Sequence, residues 1–150
     1  MAHSYVCCYV HYIFSVSGRR RLVTDEIRKR LWPYMGGVAR ENGIMPVEIG
    51  GTDDHAHVLV TLPATMTVSR GVQLIKGISS KWVSEAFKGV RDFQWQEGYG
   101  GFSVSKSAVD DVVRYIRDQE EHHRERTFEE EYLAFLDRYG VEYDLKYVFD

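Results

Sequence analysis

Between the glycine pair Gly50-Gly51 and Pro63 runs Thr52-Asp53-Asp54-His55-Ala56-His57-Val58-Leu59-Val60-Thr61-Leu62, a stretch that admits few local structures. Side chains on a strand alternate faces with a period of two. As a strand over 55–62, it turns Ala56, Val58 and Val60 to one side and His55 and His57 to the other. The first set is apolar and belongs to a core. The second holds two imidazoles side by side on a stiff support, each able to offer a ring nitrogen to one metal ion. Pro63 cannot donate to a sheet ladder and ends the strand. A His-x-His pair serves equally well as two exposed or neighbour-bonded histidines, so the rest of the chain must decide.

The flanking elements follow from patterning. Ser4 to Ser17 is rich in Val, Tyr, Phe and Ile and reads as a first strand, with Val6, Cys8, Val10, Tyr12 and Phe14 on one face. Tyr5, Cys7, Tyr9, His11 and Ile13 take the other face, whose polar handles suit a surface that meets a ligand or partner. Gly18 turns the chain into Arg19-Arg20-Arg21, which is either a solvated turn or a phosphate contact. Thr24 caps a helix running to about Glu41 and closed by Asn42-Gly43, with a kink or break expected near Trp32 because Pro33 and Gly36-Gly37 lie inside it. Ile44–Gly51 is a short second strand ahead of the histidine strand.

Thr67–Phe87 reads as a second helix with Val68, Val72, Ile75, Ile78 and Trp82 as its buried stripe. Its other side carries Lys76, Ser79, Ser80 and Lys81, which suits either a phosphate backbone or solvent. Phe93–Ser105 is a Gly-rich approach followed by a fourth strand. Lys106 to about Arg124 is a third helix. Thr127-Phe128-Glu129-Glu130 is a capping box opening a fourth, with Phe128, Tyr132, Phe135, Leu136 and Tyr139 on its packing face. The order strand, helix, strand, strand, helix, strand is that of an α+β, ferredoxin-like split βαβ sandwich with an antiparallel sheet. Its helices cover one face, leaving the other free for chemistry or binding, and the further helices follow at the C-terminal end.

With 150 residues, 44% hydrophobic and 13% aromatic, one domain spanning 1–150 can bury a sizeable core, and disorder is excluded. Cys7 and Cys8 are adjacent and on a strand face opposite ways, which disfavours a disulfide and points to a cytoplasmic protein. No run reaches the length of a membrane span, and the apolar run Tyr5–Val16 lacks a basic leader and carries His11, so it reads as a strand and not a signal peptide. A net charge of −3 argues against a nucleic-acid partner until it is divided along the chain. Residues 1–100 hold 12 Lys+Arg against 9 Asp+Glu, while residues 101–150 hold 7 against 13. Screening over about 8 Å makes such a basic patch matter more than the sum, although ordinary surface asymmetry looks the same.

On the third helix, Val109, Val112, Val113 and Ile116 form an apolar stripe, and Tyr115, Gln119 and His122 follow at i, i+4 and i+7 along its flank. The Gln119 oxygen can be a third, neutral metal ligand, with Tyr115 a nucleophile one helical turn away. A hard divalent cation such as Mg²⁺ or Mn²⁺ suits imidazole mixed with amide oxygen, and the imidazoles tilt the preference to Mn²⁺. Thiolate spacing for structural zinc is missing. Most of the ten tyrosines are packing residues, Tyr132 and Tyr139 among them, and Tyr99 in Gly98-Tyr99-Gly100 is the other candidate nucleophile.

These residues resemble the single-tyrosine HUH transposases of insertion sequences that move as single-stranded DNA, and their REP-associated tyrosine transposase relatives. The resemblance spans nearly the whole chain. It rests on Ile13-Phe14-Ser15 with the arginines, Ile49-Gly50-Gly51 leading to Asp54-His55-Ala56-His57, and Lys76 with Ser79-Ser80-Lys81-Trp82. It continues through Trp95-Gln96-Glu97-Gly98-Tyr99, Phe102-Ser103-Val104-Ser105 and Tyr115-Ile116-Arg117-Asp118-Gln119. Val16-Ser17 departs from the Thr-Lys of many relatives, which puts a DNA contact there in doubt. The resemblance implies that His55, His57 and Gln119 hold the metal and that Tyr115 attacks a scissile phosphate, leaving a 5′-phosphotyrosine and a free 3′-hydroxyl. It implies a single-stranded DNA partner with hairpin ends and active sites often shared between chains. One nucleophile per chain against two element ends points to a homodimer, the alternative being a monomer with its whole site in one chain. DNA contacts are expected from Arg19, Arg20, Arg21, Lys76, Ser80 and Lys81. Two other readings remain: a non-catalytic single-stranded nucleic-acid-binding module of the same fold, and a metal-dependent hydrolase in which Tyr115 is a bystander.

Overall fold

Four stretches of alternating residues draw together into one sheet in the computed structural model, which describes residues 3–150. β1 (Tyr9–Ser15), β2 (Met45–Gly51), β3 (His55–Thr61) and β4 (Gly100–Val104) are antiparallel throughout, in the spatial order β2-β3-β1-β4. α1 (Asp25–Glu41) joins β1 to β2 and α2 (Val68–Ala86) joins β3 to β4, so β3 is inserted between the first two strands. This is the expected ferredoxin-like split βαβ arrangement. α3 (Val109–Arg117), α4 (Gln119–Glu125) and α5 (Phe128–Arg138) follow β4.

The period of two places a core on each side of the sheet. Val10, Tyr12, Phe14, Ala56, Val58 and Val60 pack under α1 and α2 with Leu31, Met35, Val72 and Ile75. The opposite face is not open, contrary to the expectation from strand and helix order. Ile13 and Phe102 meet Phe128, Tyr132 and Leu136 of α5, and Leu59 meets Val109 and Ile116 of α3. The reason is apolar area: this second face carries Ile, Leu, Phe and Val besides its histidines, and exposing it costs about 25 cal/mol per Å².

Several boundaries differ from the sequence reading. β1 begins at Tyr9, and Tyr5 and Val6 are exposed. α1 runs unbroken through Pro33, which lies on an exposed side where the carbonyl it leaves unbonded can be hydrated. In α2 the buried residues are Gly71, Val72, Ile75, Ser79 and Val83, while Val68 and Ile78 are exposed. Small residues win the inward positions: a Cβ at Gly71 would crowd Tyr12 and Leu62, and the Ser79 hydroxyl accepts from Trp95 Nε1 at 3.0 Å. β4 is confined to Gly100–Val104, with Trp95 bridging back to Val16. The expected third helix is two helices, divided at Asp118 (φ −93°, ψ 19°), because the polar segment Gln119–Glu125 has no apolar stripe to hold it on the axis of α3. The expected caps are present, Thr24 accepting from the Ile27 amide and Thr127 and Glu130 forming the capping box, and Thr67 caps α2 by accepting from the Arg70 amide.

Two glycines position the site. Gly51 (φ +155°) closes the β2–β3 hairpin so tightly that a Cβ there would collide with the His55 carbonyl. At Gly50 a Cβ would lie 2.9 Å from the Ile116 side chain, so only a bare backbone lets α3 lie this close to β2.

Candidate active site

Strand alternation turns His55 and His57 to the second face, where both are fully buried. β1 pairs Ile13 with His57, and two residues earlier along the same face stands His11, also buried. α3 brings Tyr115 over this surface, the turn at Asp118 swings Gln119 inward, and α5 supplies Glu131 from above. The buried Glu131 carboxylate is the hub. His57 Nε2 lies 2.9 Å, His123 Nε2 3.2 Å and His55 Nε2 3.5 Å from its Oε1. Its Oε2 accepts from the Tyr115 hydroxyl and, at 3.3 Å, from Gln119 Nε2.

The far nitrogens of both rings are fixed as well. His55 Nδ1 lies 2.7 Å from Asp54 Oδ1 and 3.0 Å from Thr52 Oγ1, and His57 Nδ1 lies 2.8 Å from His11 Nε2. With its Nδ1 directed at a carboxylate, His55 presents the Nε2 lone pair inward. There it faces the Gln119 Oε1 at 2.8 Å, while Gln119 Nε2 is turned away toward Glu131 and the Tyr115 carbonyl. Acceptors thus converge on acceptors, an arrangement that a cation satisfies. His55, His57 and Glu131 offer ligand atoms within 4.8 Å of one another, and the Gln119 oxygen points to the same place. Two imidazoles, an amide oxygen and a carboxylate form a donor set that fits a divalent metal with open positions left over.

The electrostatics agree. Burial pushes the Glu131 carboxyl up, but the charge of His57 and the hydrogen bonds from His123 and His57 override it and hold Glu131 well below the carboxylate range. Burial lowers His57 and His11 below the ordinary imidazole value, against the pull of the Glu131 charge on both rings. Burial and then the Glu131 charge raise the Tyr115 phenol above its usual range, while Arg126, whose Nη2 donates to the phenol oxygen at 3.1 Å, pulls the other way. Tyr115 is half-buried and its ring stacks on His122 at 4.4 Å.

Of the residues singled out from sequence, the structure brings His55, His57, Tyr115 and Gln119 together within one chain. Tyr99 is set apart on the other side of the sheet, edge-on to Tyr12 at 5.9 Å. The expected DNA contacts divide into two clefts. Arg19 and Arg21 line one with Asp54 and His123, close to the histidines, whereas Arg20 pairs with Asp92 at 2.9 Å. Lys76, Ser80 and Lys81 line the other with Arg91 and Trp95. There Lys76 Nζ donates to the Gly98 and Glu97 carbonyls at 2.6 and 3.2 Å, and Ser80 to the Phe93 carbonyl at 3.2 Å, so Lys81 and Arg91 are the exposed cations of that groove.

Sequence reasoning missed Glu131, His11, His123 and Arg126. For Glu131 a signal was present. Phe128, Tyr132, Phe135 and Leu136 mark the packing stripe of α5, and Glu131 falls inside it, where a carboxylate needs buried partners. His123 and Arg126 carried none, since their approach depends on the turn at Asp118.

Known proteins share this arrangement of elements. The sequence family described as IS200-like transposases matches residues 4–119. The transposases of insertion sequence element IS200 from Salmonella typhimurium LT2 and from Salmonella typhi are each 27% identical over 125 residues, which covers 79% of this chain and 81% of theirs. Among solved structures, a protein from Deinococcus radiodurans R1 described as a transposase superposes with a TM-score of 0.65 at 22% identity, over 79% of this chain and 96% of that one. A REP-associated tyrosine transposase bound to a REP hairpin superposes with a TM-score of 0.60 at 17% identity, over 82% of this chain and 73% of that one. The matched span holds the whole split βαβ sheet, the histidine strand and the helix of Tyr115 as far as Gln119, and on that ground the chain belongs to the IS200-like transposase family.

Proposed function

We propose that this chain is a metal-dependent DNA transposase that cleaves and rejoins single-stranded DNA through a 5′-phosphotyrosine intermediate. The observation that carries the proposal is Glu131, whose one oxygen meets the histidines while the other holds the Tyr115 hydroxyl. Tyr115 is the nucleophile. Its oxygen forms the bond to phosphorus, the bond from phosphorus to the 3′ oxygen breaks, and the departing 3′ oxygen takes up a proton. A later 3′-hydroxyl reverses the exchange on new DNA, so phosphodiester energy is conserved and no nucleotide triphosphate is needed. Glu131 Oε2 already accepts the phenol hydrogen and receives that proton as the attack proceeds. Arg126, donating to the same phenol oxygen, faces the negative charge that develops there.

His55, His57 and Gln119 are the proposed ligands of Mg²⁺ or Mn²⁺, with Glu131 beside them. When bound, the metal polarises the phosphate and stabilises the transition-state charge. His11, Asp54 and Thr52 keep the two rings in orientation from behind. The substrate reading, a single strand with hairpin ends, is supported by the REP hairpin on the REP-associated relative. Arg19, Arg21 and Lys81 are the proposed backbone contacts, with Arg20, Lys76 and Ser80 holding the surrounding loops. Moving an element requires breakage and joining at two ends, and each chain offers one nucleophile, so two chains are the least that suffice and a twofold homodimer is the commonest way to supply them. Its active sites are shared if α3 crosses between chains. Mixing the doubly substituted His55→Ala, His57→Ala protein with Tyr115→Phe then restores cleavage, and exchanged but inactive mixtures refute sharing.

The deciding experiment is covalent capture. Labelled single strands covering the DNA that flanks the coding sequence are incubated with protein and Mg²⁺ or Mn²⁺, then denatured. A label on the protein that disappears in Tyr115→Phe and with chelator supports the reading. Product without an adduct favours a water-using hydrolase, and binding without product favours the non-catalytic module.

A further inference from the structure

Two clefts meet at Arg126. The first, about 530 Å³, is the one that carries Arg19, Arg21 and Arg124 beside Asp54 and His123. The second, about 610 Å³, opens between α3 and α5 over His11, with Tyr115, Phe135, Arg138 and Tyr139 on its walls. Arg126 lines both and touches the Tyr115 hydroxyl between them. The second cleft has the size of a small-ligand site and combines three features. Its cations are unspent: neither Arg126 nor Arg138 pairs with a carboxylate among the described residues, while its acid, Asp111, pairs with Arg114. Its aromatic wall is partly open, since Tyr139 is 43% exposed and nearly parallel to Phe135 (12° between planes). Phe135 meets His11 and Tyr115 edge-on at 5.4 and 5.8 Å, which joins this wall directly to the nucleophile. Arg126, Phe135, Arg138 and Tyr139 all lie beyond the span matched by the family, in the segment after Gln119.

We propose that this cleft seats the unpaired nucleotide adjoining the scissile phosphate, with Arg126 and Arg138 taking the phosphates on its two sides and Tyr139 and Phe135 stacking its base. The proposal rests on the reading of Tyr115 as nucleophile. Guanidinium groups select a polyanion over an apolar ligand, and an exposed aromatic plate selects an unpaired base over a duplex, whose bases are already stacked. The strand then continues past Arg126 into the arginine cleft, so the two clefts form one path with Tyr115 at its middle.

The test uses the Tyr115→Phe protein, which cannot consume its substrate, and a twelve-nucleotide oligothymidylate carrying 5-iododeoxyuridine at alternate positions. Irradiation links iodouracil to aromatic side chains in contact with it, and mass spectrometry locates the link. Links to Tyr139 or Phe135 are expected. Tyr139→Ala should weaken binding of the same strand, by fluorescence anisotropy, about tenfold, within the roughly 5- to 150-fold of one lost base stack, and Arg138→Gln should reduce its salt dependence. Tyr139→Phe, which keeps the ring, should bind like the parent and so separates stacking from a folding defect. Links confined to other aromatics such as Trp95, equal binding by Tyr139→Ala, or no binding of the strand at all overturn the proposal. Covalent capture with the unsubstituted protein decides the Tyr115 reading separately: an adduct alongside Tyr139-independent binding removes the cleft assignment and leaves the nucleophile.

Discussion

Replacing Glu131 by alanine removes the acceptor on which four side chains converge, and the cost can be followed donor by donor in metal-free protein. His57 is fully buried and loses its partner at 2.9 Å with no other acceptor on that nitrogen. The other donors have recourse: Tyr115 is half-buried, His123 is 11% exposed at its side chain, and Gln119 keeps the Tyr115 carbonyl at 3.5 Å. One orphaned buried donor costs about 1–3 kcal/mol, and the weakened neighbours add to it, while relief of the carboxylate's own desolvation offsets a part. The expected net loss is about 2–4 kcal/mol, which for a chain of this size lowers the melting temperature by roughly 4–16 °C. Glu131→Gln keeps an acceptor oxygen for His57 and should lose only about half as much. Glu131 is held below its ordinary 4.5 in the folded state, so its contribution is complete above that value and is lost as the pH falls toward the folded value. Thermal unfolding followed by circular dichroism at neutral pH, in chelator and then with Mn²⁺, reads the effect. Wild type should gain stability with Mn²⁺, and Glu131→Gln should gain less. An alanine variant as stable as wild type in chelator would refute the hub, because no buried donor would then have depended on the carboxylate.

Gly50→Val should overpack the contact with Ile116, costing about 1–3 kcal/mol, and should slow adduct formation by shifting α3 while far-UV circular dichroism stays native; wild-type kinetics would show that this contact does not position Tyr115. Lys76 is pushed down to about 8 by burial, against the pull of Glu97, while the unfolded chain keeps its proton up to about 10.5. Between those values the unfolded state binds more protons, so wild type should gain stability relative to Lys76→Met as the pH rises from 8 to 10 in urea titrations; parallel profiles would contradict the burial. Lys81→Gln combined with Arg91→Gln should weaken binding of a single strand and flatten its salt dependence if the groove beside α2 carries DNA, and an unchanged slope would remove that groove from the interface.

Much of this protein was legible one residue at a time. Period-two alternation is a property of the backbone, so His55 and His57 share a face of β3 whatever packs on them, and the spacing of four between Tyr115 and Gln119 keeps them neighbours even across the turn at Asp118. Caps at Thr24 and Thr127 are local chemistry and were equally readable. What no local rule contains is which surfaces meet. The choice of Gly71, Ser79 and Val83 over Ile78 for the inner side of α2 depends on Tyr12 and Trp95, which lie in other elements. The covering of the histidine face by α3 and α5, the arrival of Glu131 between two histidines and a tyrosine, and the meeting of two clefts at Arg126 are contacts between residues far apart in the chain. Sequence periodicity therefore determined which side chains could serve, and tertiary packing decided which stand within hydrogen-bonding reach, because burial of the second sheet face is an energy of the assembled layers and of no single segment.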